Sequence, residues 1–131
     1  MRGMRPWLLL LLLLPAAAAR PVSLAEVEAD PKAHFGRELA MLGYLWPWSR
    51  PTPLPCRGLP LARGNLARTR SDPNFCDGTR IAFAKVEPKG PLPEGAVWVR
   101  ARVEPGPRGW YLVVTGFIGR APAPPGPPPG R

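Results

Sequence analysis

Residues 30–45 read Asp30-Pro31-Lys32-Ala33-His34-Phe35-Gly36-Arg37-Glu38-Leu39-Ala40-Met41-Leu42-Gly43-Tyr44-Leu45. A short acidic segment stops at Asp30-Pro31, because the residue before a proline avoids helical dihedrals. A polar turn closes at Gly36. An apolar strand then runs from Arg37 to Trp46. Leu39, Met41 and Leu45 point one way, and Ala40, Leu42, Tyr44 and Trp46 the other, so both faces are apolar. Such a strand is covered on both sides or lies at a barrel seam. Gly43 inside it marks a bulge or bend, as a coiling strand requires.

Upstream, Pro21 to Asp30 predicts a short helix. Ser23 and Glu26 have capping-box spacing, and Leu24 and Val27 form one narrow apolar face. Further upstream the pattern is one of export. Arg2 and Arg5 precede an unbroken leucine run, Leu8–Leu14, which Pro15 and four alanines end. That order is the n-region, h-region and cleavage site of a secretory signal over residues 1–19. The run is shorter than the roughly 20 residues that cross a bilayer. The alternative is an uncleaved anchor, which the short run and the alanine exit disfavour. Cleavage after Ala19 removes two arginines, so the formal net charge falls from +9 to +7. No later apolar segment is long enough to span.

Downstream, prolines at 47, 51, 53, 55 and 60 interrupt the chain. A weak strand signal covers Leu59 to Leu66 inside a polar, basic loop from Gly58 to Gly78. Arg80 to Val86 alternates as a strand with Ile81 and Phe83 inward. Ala96 to Val103 is the clearest strand, with Val97, Val99, Ala101 and Val103 toward the core and Trp98, Arg100 and Arg102 outward. Residues 104–109 form a hairpin loop, and Trp110 to Ile118 the return strand. Residues 121–131 are mostly proline and glycine, the composition of an extended, disordered tail. The sum is one domain over residues 20–120, mainly β, in the form of a small five-stranded barrel with a short N-terminal helix.

Cys56 and Cys76 are the only cysteines. In an exported chain an even pair reads first as a disulfide, here tying the base of the basic loop. The other reading is a metal pair with His34, but two thiols and one distant histidine make a poor zinc set. Asp72-x-Asn74-x-Cys76-Asp77-Gly78 begins like a calcium loop. It fails at its fifth position, at its glycine and at Phe83, where a bidentate glutamate belongs. No nucleophile elbow, phosphate loop or dinucleotide glycine pattern occurs. The lone His34 sits in a turn with no sequence-near nucleophile. The expectation is a non-enzymatic protein without cofactor or metal.

The run Asp30-Pro31…Phe35-Gly36-Arg37-Glu38-Leu39…Leu42-Gly43-Tyr44-Leu45 resembles the opening of exported bacterial OB-fold domains of the tRNA-anti-like kind. Leu92-Pro93-Glu94-Gly95-Ala96-Val97-Trp98-Val99 is similar to their leucine, glycine, tryptophan-valine strand, although the glycine that often follows is replaced by Ala101 or Arg102. The resemblance covers about 90 residues, Ser23 to Ile118. It implies an OB-like barrel that binds a partner, a secreted or periplasmic location, and no particular chemistry. The partner would be a protein, an envelope polyanion or a small ligand. Single-stranded nucleic acid outside the cytoplasm is the alternative, because arginines beside aromatic rings on an OB barrel suit it. The ligand-binding residues expected on this reading are Trp98, Arg100 and Arg102 on one strand face, with Arg68 and Arg70 from the tied loop. Tyr44, Trp46 and Trp48 could add stacking surfaces. Against this, tryptophans in a small chain often plug the core.

Overall fold

The computed structural model describes residues 21–120. The expected signal sequence at 1–19 and the expected proline-rich tail at 121–131 lie outside the described residues. Helix α1 spans Leu24–Ala29. Strands β1 (Glu38–Trp46), β2 (Asn74–Cys76), β3 (Ile81–Val86), β4 (Val97–Gly106) and β5 (Gly109–Arg120) follow. They close a barrel in the order β1-β2-β3-β5-β4. All neighbours are antiparallel except β3 and β5, which run parallel. This is the mainly β, five-stranded, OB-like barrel expected from the sequence.

Helix α1 forms for local reasons. The Ser23 side chain accepts from Glu26 N–H, and the Glu26 carboxylate accepts from Ser23 N–H, completing the capping box. Leu24 and Val27 are fully buried on the barrel interior. Each contributes about 1.5–3 kcal/mol by leaving water. A short 3₁₀ turn, Pro31–His34, then leads to Gly36, whose φ of +75° suits glycine. The ring of His34 caps this turn, with Nδ1 2.9 Å from the Asp30 carbonyl oxygen.

β1 pairs with β4 from Glu38 to Gly43 and with β2 from Tyr44 to Trp46. The strand therefore changes partner at Gly43. A Cβ there would stand 2.0 Å from the Cys76 carbonyl oxygen and 2.7 Å from the Phe75 ring. Only glycine lets the two backbones approach this closely. Leu39, Met41, Phe75, Val99, Trp110 and Leu112 are among the side chains filling the interior. Outside, Trp46 packs on the disulfide with Tyr44, Leu59 and Ile81. Both faces of β1 are thus covered where it crosses the seam.

Two expectations need correction. The fifth strand is Asn74–Cys76, not Leu59–Leu66. Gly58, Pro60 and Gly64 break the earlier run into isolated bridges, Leu61 with Ile81 and Asn65 with Trp110. The alternation of β3 is also inverted: Ala82 and Ala84 are buried in the barrel, and Ile81 and Phe83 are only half-buried on the outside. The long loop lies over that outer face and shelters its bulky side chains. It is sewn down by Ala62 N–H to Ile81 O at 2.8 Å and by the Asn65 amide, which bonds both the N–H and the carbonyl of Phe83.

Cys56 and Cys76 form the expected disulfide across a sequence separation of 20. No helix among the described residues is long and apolar enough to cross a membrane.

Candidate functional site

The outer faces of β4 and β5 carry the residues singled out from the sequence. Side chains alternate with period two, so Arg100, Arg102 and Glu104 share the outward face of β4. Across from them on β5, Arg100 is in register with Gly116, Arg102 with Val113 and Glu104 with Tyr111. Lys85 of β3 is in register with Val113 on the far side. The face therefore spans three strands.

Arg68 joins this face from the loop. Its guanidinium carbon lies 5.1 Å from the centre of the Tyr111 ring, and its Nη1 donates to the Tyr111 hydroxyl at 3.4 Å. The loop is held for this contact by Asp72. That buried carboxylate accepts from the backbone N–H of Arg68 and Thr69 and from the Thr69 hydroxyl. The calcium-like run is thus a turn built on its aspartates. Asp77 plays the same part further on, accepting from Leu24, Thr79 and Arg80 N–H groups. No group of three or more histidine, cysteine or acidic side chains suited to a metal occurs among the described residues.

Arg102 is compensated. Its Nε donates to Glu104 Oε2 at 2.6 Å, and its Nη2 stands 3.8 Å from Glu87 Oε2. The Glu104 hydrogen bond raises its pKa above the ordinary arginine value, so it stays charged. Arg100 is different. It is exposed, and its guanidinium has no acidic partner among the described residues. Glu38 of β1, in register with Arg102, accepts from the Thr115 hydroxyl at 2.7 Å. Beside the face a cleft of about 620 Å³ is lined by Lys85, Glu87 and Lys89.

Arg70 is exposed in a turn of the loop, and its side chain has no ion pair or ring contact among the described residues. Trp98 departs from expectation. It occupies the outward phase of β4 but is only 4% exposed. Leu42 of β1 is its register partner, and Pro21, Val22, Ser23 and Asp77 line a hollow beside it. Val22 N–H bonds the Ala40 carbonyl at 3.1 Å, fastening the N-terminal segment there. Trp98 is therefore a covered packing residue and offers no stacking surface. Trp46 is likewise buried, and Tyr44 half-buried, whereas Trp48 is 63% exposed.

Not every arginine near the loop belongs to the face. Arg63 and Arg80 both meet Glu28 of α1, at 3.5 Å and 3.1 Å. The Arg63 backbone N–H, and then the Arg80 side chain, hold the Glu28 carboxyl below the usual carboxylate range. These two arginines clamp the loop to the helix. Sequence reasoning missed Tyr111, Glu104, Glu87 and Lys85 as members of the face. Strand alternation could have found Tyr111 and Glu104. The Arg68–Tyr111 stack spans 43 residues and had no local signal.

Compared with models of known families, with curated proteins and with solved structures, the chain matches none.

Proposed function

We propose that the chain is an exported, non-enzymatic OB-like binding module whose β4–β5 face takes an anionic partner outside the cytoplasm, in the periplasm or secreted. The carrying observation is one surface on which an exposed, unpaired Arg100 stands near Arg102, followed by Arg68 on Tyr111. A guanidinium held over a ring keeps its outer N–H groups for an anion. The leader pattern of residues 1–19 supports export, and the disulfide is compatible with an oxidising compartment. Resemblance to exported bacterial OB-fold domains supports the same reading. The non-enzymatic reading rests on how three sheltered acids are used: buried Asp72 and half-buried Asp77 are taken up by backbone donors, and half-buried Glu28 by arginines.

The partner is an acidic protein surface or an envelope polyanion. Titration of residues 20–131 with a sulfated polysaccharide tests the face. Binding should weaken as salt rises, and Arg68→Ala with Arg100→Ala should lower the affinity and flatten that salt dependence with the fold intact. Unchanged affinity in the double variant would remove the face from consideration. Single-stranded nucleic acid is the second reading, supported by the arginine held over an aromatic ring on the same face, Arg68 on Tyr111. It requires oligonucleotides to compete with the polysaccharide and Tyr111→Ala to weaken them selectively.

A further inference from the structure

Strand β5 has 12 residues and its parallel neighbour β3 has 6. Their ladder uses only Leu112 to Val114 of β5 and ends with Glu87 N–H on the Val114 carbonyl at 2.9 Å. From Gly116 to Arg120, β5 pairs with β4 on one side. On its other side no backbone hydrogen bond joins residues 115–120 to another element among the described residues. β5 thus outruns β3 past the last rung of their ladder. The overhang is an open edge about 20 Å long, since a strand rises ~3.3 Å per residue.

An open edge presents unpaired N–H and C=O groups, a template for another extended chain. Strand addition draws its affinity from main-chain hydrogen bonds and its selectivity from the side chains beside them. Here those side chains are distinctive. Phe117 and Ile118 are 38% and 43% exposed, and no other large apolar side chain in a strand is so open among the described residues. Gly116 and Gly119 flank the pair. Beyond its chain neighbours, a Cβ at Gly119 would meet nothing within 4 Å, and one at Gly116 only Arg100 Nη1 at 3.5 Å. The pair therefore stands on open ground, and the Arg100 guanidinium reaches across to β5.

Charge selects the occupant. Residues 116–120 and their partners on β4, Val97 to Arg100, hold two charged side chains, Arg100 and Arg120. Both are exposed, and neither has an ion pair among the described residues. A second copy would add two more arginines and no carboxylate. Register shifts at Trp98/Val99 and Arg100/Ala101 also bend this edge, a feature that blunts pairing between like edges. An extended segment of mixed acidic and apolar residues fits better. Its backbone completes the edge, its apolar side chains cover Phe117 and Ile118, and its carboxylates meet the guanidinium forks.

We propose that the edge of β5, residues 115–120, takes an extended acidic segment of a partner protein as an added strand. The charge of that segment rests on the anionic-partner reading above. The edge uses Arg100 of that face but neither Arg68 nor Tyr111.

The test titrates residues 20–131 with the peptide acetyl-Glu-Val-Glu-Val-Glu-Val-amide, followed by two-dimensional amide NMR. The amide peaks of Thr115 to Arg120 should shift, and their exchange with solvent should slow. The same peptide methylated at every amide nitrogen should leave them unmoved. Arg100→Ala with Arg120→Ala should weaken the acidic peptide about tenfold, the loss expected for two exposed ion pairs. An equal effect of the methylated peptide would overturn strand addition. Equal binding of a glutamine-for-glutamate peptide would overturn the acidic partner. Shifts confined to Arg68, Arg102 and Tyr111, or no peptide binding while the sulfated polysaccharide still binds, would overturn the edge and leave the anion-binding face standing. Shifts at residues 115–120 without any polysaccharide binding would keep the edge and remove the polysaccharide reading. Edge shifts that grow with protein concentration alone would assign the edge to a second copy and overturn the proposal.

Discussion

Truncating Trp98 to alanine separates a packing role from a binding role. The side chain is 4% exposed, with Leu42 as its register partner and Pro21 to Ser23 lining the hollow beside it. A tryptophan of this burial withdraws roughly 200 Å² from water. At about 25 cal/mol per Å² that is on the order of 5 kcal/mol of transfer free energy. Alanine recovers a little of it, and the cavity costs more where the walls do not collapse. The walls here are fastened by Val22 to β1 and by Asp77 to Leu24, so collapse is limited. Trp98→Ala should therefore cost about 3–5 kcal/mol. For a domain of this size the melting temperature should fall on the order of 10–30 °C. Trp98→Phe should cost less than half as much, because the indole N–H has no hydrogen-bond partner among the described residues and its loss leaves nothing unpaired. Thermal melts and urea titrations of the three proteins measure this. A loss within the surface range of about 0.5 kcal/mol for Trp98→Ala would refute the reasoning, and weakened anion binding at unchanged stability would restore Trp98 to the ligand face.

Replacing Cys56 and Cys76 by alanine should lower stability by roughly 3 kcal/mol, the loop-closure value for a separation of 20 residues; urea unfolding measures it, and native alkylation of the parent protein should label no thiol. Gly43→Ala should be worse than an ordinary overpacking change of about 1–3 kcal/mol, because the new Cβ meets backbone at Cys76 and not a yielding side chain; soluble yield and circular dichroism report it, and a native melt in the variant would contradict the close approach. The folded pKa of Glu28 lies below its unfolded value, so its stabilisation is present above about pH 4.3 and is lost as pH falls through the lower folded value. Glu28→Gln should consequently flatten the acid limb of the stability profile, and an unchanged limb would show that the Arg63 and Arg80 contacts contribute nothing. Mass spectrometry of the exported protein should find its N-terminus at Arg20; residues 1–19 still attached would exclude cleavage.

The strands that could be read from the sequence are those whose signals are local. β1, β4 and β5 are each nine or more residues of apolar and β-favouring sequence, and prolines or glycines mark their ends. The capping box of α1 is complete within four residues. β2 escaped because three residues, Asn74 to Cys76, are too few to show a period. The inward phase of β3 was misread because alternation shows two faces but not which one a distant loop will cover. Small Ala82 and Ala84 turn in, and the loop shelters Ile81 and Phe83. The burial of Trp98 had no local signal either, since alternation does not show that the segment 21–23 is fastened to β1 beside it. Arg100 and Arg102 followed from period two, whereas Arg68 reached the face only through the fold.

The brevity of β2 bears on the order in which this chain assembles. A closed barrel has no free strand edges, but here its closure on one side depends on three residues. Cys76 ends that strand, and its bond to Cys56 pins the strand from outside the barrel. While the thiols are still reduced, the seam between β1 and β3 is held by little else than this short ladder. Were it to part, two unpaired edges would face solvent, and exposed edges recruit other chains. The disulfide thus reinforces the seam that the three-residue ladder makes short, and the reduced chain is the form more exposed to pairing with its own copies. Export in an unfolded form to an oxidising compartment would limit that exposure, whereas accumulation in a reducing one would favour intermolecular pairing.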